Sequence, residues 1–236
     1  MNGAQIKVND LRVKYEDFEV IRGMDFAVQK GEFVSIVGKS GCGKSTLLYA
    51  LADFIKKTGL VDMPAHVGVV FQNYAVFPWL KVRDNIVFGL GHLNEKEREK
   101  LLLDHLQMTG LLNEADKYPF QLSGGQGQRV ALARALAPDP DVILMDEPFA
   151  ALDQFTREKM QNWLLEVWEK NHKTVLFVTH NLEEALYLSD RILVIGQGKI
   201  QGEFQVPFGR PRGEQIKFDE SFIRIKRNLL DLMEKQ

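Results

Sequence analysis

Two kinds of apolar pattern divide the chain. Residues 5–14 and 19–28 alternate apolar and polar positions, with Ile6, Val8, Leu11 and Val13 in the first and Val20, Met24, Phe26 and Val28 in the second. A period of two predicts antiparallel strands with one buried face. Residues 33–37, 67–71, 142–146, 174–178 and 192–195 are instead nearly continuous apolar runs. Those read as strands of a parallel sheet covered on both faces. Helical spacing is predicted for 46–52, 130–137, 156–169 and 182–188, and for a tail helix with Phe222, Ile225, Leu229, Leu230 and Met233 on one stripe. Residues 58–66 read as a short loop. Residues 82–135 read as a helical insert, in which Asn94 and Glu97 make an N-terminal capping pattern and Gly110 a stop. The tail offers no basis for choosing between packing on the body and packing on another subunit.

Composition narrows the picture modestly. A chain of 236 residues with 45% hydrophobic content suits one or two α/β units with a sizeable core. A net charge of −2 leaves no electrostatic footprint for nucleic acid, so none is expected as a partner. No apolar run approaches the roughly 18 residues of a membrane span, and the first residues lack a signal-peptide pattern. The single cysteine, Cys42, excludes an internal disulfide and fits a reducing cytoplasm.

The chemistry centres on Gly38-Lys39-Ser40-Gly41-Cys42-Gly43-Lys44-Ser45-Thr46, which matches G-x-x-x-x-G-K-[ST] between a predicted strand and a predicted helix. Glycines let backbone N–H groups turn inward, and the helix start adds its positive dipole end. Lys44 is then placed to reach terminal phosphates and Ser45 to ligate Mg²⁺. Cys42, beside Lys44, is expected to favour its thiolate. Other candidates follow the same sheet logic, since ligands lie beyond the carboxyl ends of parallel strands. Gln72 ends one strand and would meet the metal or the attacking water. Asp146 and Glu147 end another, with Asp146 suited to the metal and Glu147 to the water. His180 ends a third and would face the terminal phosphate. Ser123-Gly124-Gly125-Gln126 forms a second, lysine-free anion cradle before its predicted helix. Tyr15 suits either a strand edge or stacking on a nucleobase. The apolar stretch from Val76 to Leu80 suits buried core or an exposed partner patch about equally.

Taken together these residues resemble the ATP-binding subunit of ABC transporters, over residues 5–204. Gly38 to Ser45 looks like the Walker A motif, Gln72 like the Q-loop glutamine, and Leu122 to Gln126 (LSGGQ) like the family signature. Val142 to Asp146 looks like Walker B, Glu147 like the catalytic glutamate, Ala151-Leu152-Asp153 like the D-loop and His180 like the switch histidine. Tyr15 takes the place of the adenine-stacking aromatic. The resemblance implies an α/β P-loop NTPase (RecA-like) core with an antiparallel β subdomain and an inserted α-helical signature subdomain. The core would take residues 1–75 and 136–204, the helical part 76–135 and the tail 205–236. It also implies ATP and Mg²⁺ as ligands and a head-to-tail dimer in which Ser123 to Gln126 of one copy close the P-loop site of the other. Implied partners are transmembrane permease subunits and, indirectly, a substrate-binding protein, with the chain at the cytoplasmic face of the inner membrane. The segment from Phe71 to Ile86 is similar to importers of the nitrate, sulfonate and taurine group. Two departures stand out: residues 53–66 are shorter than the usual hairpin arm, and Gly127 replaces the usual Gln.

Rival readings are a soluble ABC-type clamp serving a non-transport assembly, a small-molecule P-loop kinase and an inactive regulatory subunit. LSGGQ, Glu147 and His180 argue against the kinase. Intact Lys44, Asp146, Glu147 and His180 argue against an inactive subunit.

Overall fold

The computed structural model describes residues 3–234. The two alternating stretches form β1 (Ala4–Tyr15) and β2 (Phe18–Gln29), an antiparallel pair with Ile6 facing Val28 and Val8 facing Phe26. Where a loop was expected, Thr58–Asp62 is a further strand, β4, on the free edge of β1, with Lys7 opposite Asp62 and Val8 opposite Val61. Its Thr-Gly-Leu-Val-Asp sequence is mostly exposed. It is a strand because β1 offers unpaired backbone groups, and its own pattern carries no such signal.

The continuous runs form the second sheet, in the order β5-β6-β7-β3-β8-β9. Its members are β3 (Phe33–Val37), β5 (Val67–Val70), β6 (Val142–Asp146), β7 (Thr174–Val178), β8 (Arg191–Gly196) and β9 (Lys199–Gln205). β5, β6, β7, β3 and β8 run parallel, and β9 pairs antiparallel to β8. One face packs Val34, Ile36, Leu144 and Leu176 against β1, β2 and α1 (Lys44–Leu51). The other packs Phe33, Met145 and Phe177 against α5 (Gln154–Asn171) through Met160, Leu164 and Trp168. α6 (Leu182–Leu188) lies where its spacing placed it.

Three helices with a cluster of their own, including Val82, Ile86, Leu102, Leu106 and Val130, lie between β5 and β6 in the chain. They are α2 (Val82–Val87), α3 (Glu95–Thr109) and α4 (Gly124–Leu136). α3 starts at the Asn94–Glu97 capping box and stops at Gly110 in the left-handed conformation. α4 begins six residues before the expected start at 130, so Gly124 to Gln126 form its first turn. Ser123 caps that turn, which overrides the poor helix propensity of three nearby glycines. The tail packs on the body: in α7 (Glu220–Glu234), Phe222, Leu229 and Met233 cover Val37, Leu186 and Val194.

Candidate nucleotide site

Registers of the parallel strands bring their carboxyl ends level. Ile36 and Asp146 both pair with Val178, and Val70 pairs with Met145. The residues just beyond, from Gly38, Glu147, His180 and Gln72 outward, therefore gather at one edge of the sheet. Gly43 caps α1 with φ of 104°, a conformation that suits glycine, and lies against Val20 and Ile21 of β2. Lys44 is buried, and its ammonium donates to the carbonyls of Gly38 (2.9 Å) and Lys39 (3.0 Å). The charge thus stands inside the loop that would surround a phosphate. Lys39, Ser40 and Gly41 are exposed, and Lys39 Nζ reaches the Glu234 carbonyl at the end of α7 at 3.3 Å. Tyr15, at the end of β1 opposite Phe18, is half exposed.

α1 packs back over β6 and β7, so Ser45 Oγ donates to Asp146 Oδ1 at 2.9 Å. Asp146 is buried, and its Oδ2 has no hydrogen-bond partner. Burial pushes this carboxyl up, and Ser45 and Tyr49 pull it down only in part. An orphaned carboxylate oxygen beside a hydroxyl is a donor pair suited to Mg²⁺. Among the described residues no cluster of three or more His, Cys, Asp or Glu forms a metal site. Of the three expected ligands, Ser45 and Asp146 already stand in contact, and phosphate and water would complete the set. Gln72, the third candidate, stands exposed beyond β5. The expected thiolate at Cys42 is overturned: burial raises the thiol's pKa and outweighs the pull of Lys44.

Glu147 has φ of 43°, a left-handed conformation costing a non-glycine residue on the order of 1 kcal/mol. Its N–H donates to Val178 O (2.9 Å), and its Oε2 lies 2.9 Å from His180 Nδ1. A carboxylate accepts here, so the proton sits on Nδ1. Asp153 caps α5 by accepting from Thr156 N at 3.0 Å, and the Thr156 hydroxyl, together with that backbone N–H, holds its carboxyl below the usual range.

The signature turn lies elsewhere, on α4, which packs on β5 and α5. Ser123 Oγ accepts from Gln126 N (3.3 Å) and Gln126 Oε1 from Ser123 N (2.9 Å). A Cβ on Gly125 would come within 2.7 Å of Thr156 Cγ2, so the close approach of α4 to α5 requires glycine. The departure at Gly127 also has a structural counterpart. The position where its Cβ would be is 3.8 Å from the Tyr74 ring, an ordinary van der Waals contact. Tyr74 (φ 59°) and Ala75 (φ 45°) follow Gln72 in consecutive left-handed conformations.

The apolar stretch beyond them is split: Val76 packs on the helical cluster, Phe77 and Leu80 are part-buried, and Pro78 and Trp79 are exposed. Trp79 is 69% exposed and Phe88 61%, with the Phe77 ring between them at 5.4 and 4.4 Å. Sequence reasoning missed Asn85, which holds this loop: it is fully buried, accepts from Phe77 N and donates to the carbonyls of Phe77, Leu80 and Lys81. It also missed Gln128, a buried α4 side chain that donates to the Pro148 carbonyl next to Glu147. A polar residue inside an otherwise apolar helical face was the available signal for both.

The chain matches the ABC transporter family over residues 21–150 and belongs to it. It is 44% identical over 212 residues to the bicarbonate transport ATP-binding protein CmpC of Synechococcus elongatus, covering 83% of this chain and 32% of CmpC, so the chain spans about a third of that relative's length. It is 40% identical to the nitrate import ATP-binding protein NrtD of Synechococcus elongatus, over 92% of this chain and 85% of NrtD. Its fold is similar to that of the dimeric bacterial ABC transporter cassette MJ0796, with a TM-score of 0.77, 34% identity, and coverage of 86% of this chain and all of that one.

Proposed function

We propose that this chain binds ATP with Mg²⁺ and hydrolyses it, as one half of a head-to-tail dimer that powers uptake of a small solute through a separate membrane permease. The observation that carries this reading is the convergence of Lys44, Ser45, Asp146, Glu147 and His180 at one edge of the sheet, with the orphaned Asp146 oxygen beside Ser45. Lys44 meets the terminal phosphates, and Tyr15 stacks on the adenine. Ser45 and Asp146 would hold Mg²⁺, which would supply neutralisation of phosphoryl charge there. Glu147 aligns the attacking water and accepts its proton, with His180 fixing that carboxylate. Gln72 senses the occupied site, and Asp153 couples it to the second one.

The partner copy contributes Ser123 and the N–H groups of Gly124 and Gly125 at a helix start, an anion-binding geometry without its own cation. One chain has one P-loop and one such turn on separate elements, which a two-fold dimer reconciles. The transport proteins it resembles carry nitrate and bicarbonate by name, and the sequence is similar to sulfonate importers, so the cargo we infer is a small oxyanion. Phe77, Trp79 and Phe88 form the surface that a permease helix would cover, a few residues along the chain from Gln72. Among the described residues no helix is long and apolar enough to cross a membrane, so the work would be done on that partner at the inner face of the membrane.

Glu147→Gln tests the chemistry. ATP affinity should stay within about threefold while turnover falls at least 100-fold, about 2.7 kcal/mol of barrier, and ATP should hold the variant as a dimer on size exclusion. A normal rate would remove Glu147 from its role. Trp79→Asp tests the partner surface: permease-stimulated ATPase should fall about tenfold with basal activity within twofold, whereas equal losses would assign Trp79 to the fold.

A further inference from the structure

Behind Glu147 and His180 lies a buried polar group that the proposed mechanism leaves unused. Glu184, on α6, is 5% exposed. Its Oε2 accepts from Thr179 Oγ1 at 2.7 Å and its Oε1 from Gln161 Nε2 at 3.2 Å. Arg157, on α5, stands 3.6 Å from Oε1 through Nε. The same guanidinium donates to the carbonyls of Leu152 (Nη2, 2.7 Å) and Phe149 (Nε, 3.3 Å). A void of about 30 Å³, room for a water, separates this pair from Glu147 and His180.

The two ends of the pair hold different things. Thr179 immediately precedes His180, and its Oγ1 also accepts from Asn181 N at 3.0 Å, so Glu184 fixes the backbone that carries the histidine. Leu152 and Phe149 bracket the turn that leads from Glu147 to Asp153. Burial pushes the Glu184 carboxyl up, and Thr179, Arg157, His180 and Gln161 all pull against it. Taking the Glu184 carboxylate out of water is unfavourable unless its acceptors are satisfied, and the Thr179 hydroxyl, the Gln161 amide and the partly exposed Arg157 satisfy them here. Two apolar side chains would fill the same space without joining the loops, which points to the joining as the purpose of the charges.

We propose that Arg157 and Glu184 are positioning residues that lock the His180 segment of one site to the 149–153 turn addressed to the other site, so that both sites of a dimer respond to one ion pair per protomer. This rests on the dimeric ATPase reading above. Closure around nucleotide that moves His180 moves Thr179 with it. Glu184 transmits that shift to Arg157, and Arg157 carries it to the carbonyls of Phe149 and Leu152. The coupling element is thus a chain of hydrogen bonds joined at its centre by the Arg157–Glu184 ion pair, a contiguous physical link between two loops.

Mixed dimers provide the test. Glu184→Gln keeps the shape and the amide acceptor for Thr179 but removes the charge. Arg157→Lys keeps the charge but loses the forked contact with two carbonyls. Each homodimer should lose about tenfold in turnover with ATP affinity within twofold of wild type. A dimer of one wild-type and one Glu184→Gln protomer, purified through two different tags, should turn over about fivefold slower than wild type, because the altered protomer disturbs both sites. A mixed dimer at half the wild-type rate would confine the pair to its own site and overturn the coupling. So would an affinity loss as large as the rate loss, which would mark the pair as support for the fold. A wild-type dimer without ATPase activity would overturn the earlier reading together with this one. A Glu184→Gln dimer with wild-type turnover would overturn this one alone.

Discussion

Glycines lead into a helix at two places in this chain, and the two helix starts are satisfied in different ways. At the P-loop, Gly43 caps α1 with no side chain, and the local charge comes from Lys44 folded onto the carbonyls of Gly38 and Lys39. At the signature turn, Ser123 and Gln126 satisfy each other in a capping box, Gln126 Nε2 also reaches Glu114 at 3.2 Å, and no lysine is present. The first start needs an anion to complete it. The second is capped from within the chain by the reciprocal bonds of Ser123 and Gln126, with no cation folded onto it. Two similar sequence patterns therefore differ in what they lack. On the proposed dimer reading, that difference would divide the work between a cradle that binds alone and a lid that acts across a two-fold axis.

The largest expected effect separates them most cleanly. Lys44→Ala should weaken ATP binding by the isolated chain at least 100-fold, about 2.7 kcal/mol, by titration calorimetry. A loss below fivefold would mean the P-loop does not depend on its own cation, and the contrast with the signature turn would collapse. Gly125→Ala should act on stability instead. With Thr156 Cγ2 at 2.7 Å from the added carbon, overpacking should destabilise the fold by about 1–3 kcal/mol, read as a melting temperature several degrees lower. ATP affinity of the isolated chain should hardly change; a matching loss of affinity would show that the signature turn shapes the P-loop within one chain. The smallest effect concerns Cys42. Because burial raises its pKa, its thiolate should appear only at more alkaline pH than that of a free thiol. Alkylation should accordingly be slow near neutrality and climb only as the solution is made alkaline, and reaction at pH 7 as fast as that of a free thiol would contradict the burial seen here.

Much of this was legible in the sequence because the signals were local. Continuous apolar runs marked the parallel strands, and their ends marked Gln72, Asp146, Glu147 and His180. The misses have non-local causes. β4 has a polar, glycine-containing sequence and exists because β1 has an open edge. The first turn of α4 reads as loop by propensity and is helical because Ser123 caps it and Thr156 receives Gly125. The Cys42 expectation weighed the charge of Lys44 and left out desolvation, the larger influence. Tail periodicity gave α7 its buried stripe, but no pattern within one helix names the surface that stripe covers. Arg157 and Glu184 were indistinguishable from solvated helix charges until α5 and α6 were brought together.

The solitary thiol has a practical side. A chain whose single sulfhydryl sits half buried with its proton held on is a ready background for site-directed labelling. A cysteine introduced at the exposed Trp79 or Ile223 positions would take a spin or fluorescent probe near neutral pH while Cys42 stayed dark. The native sequence would then report distances between the helical unit and the tail with nothing removed from its phosphate loop.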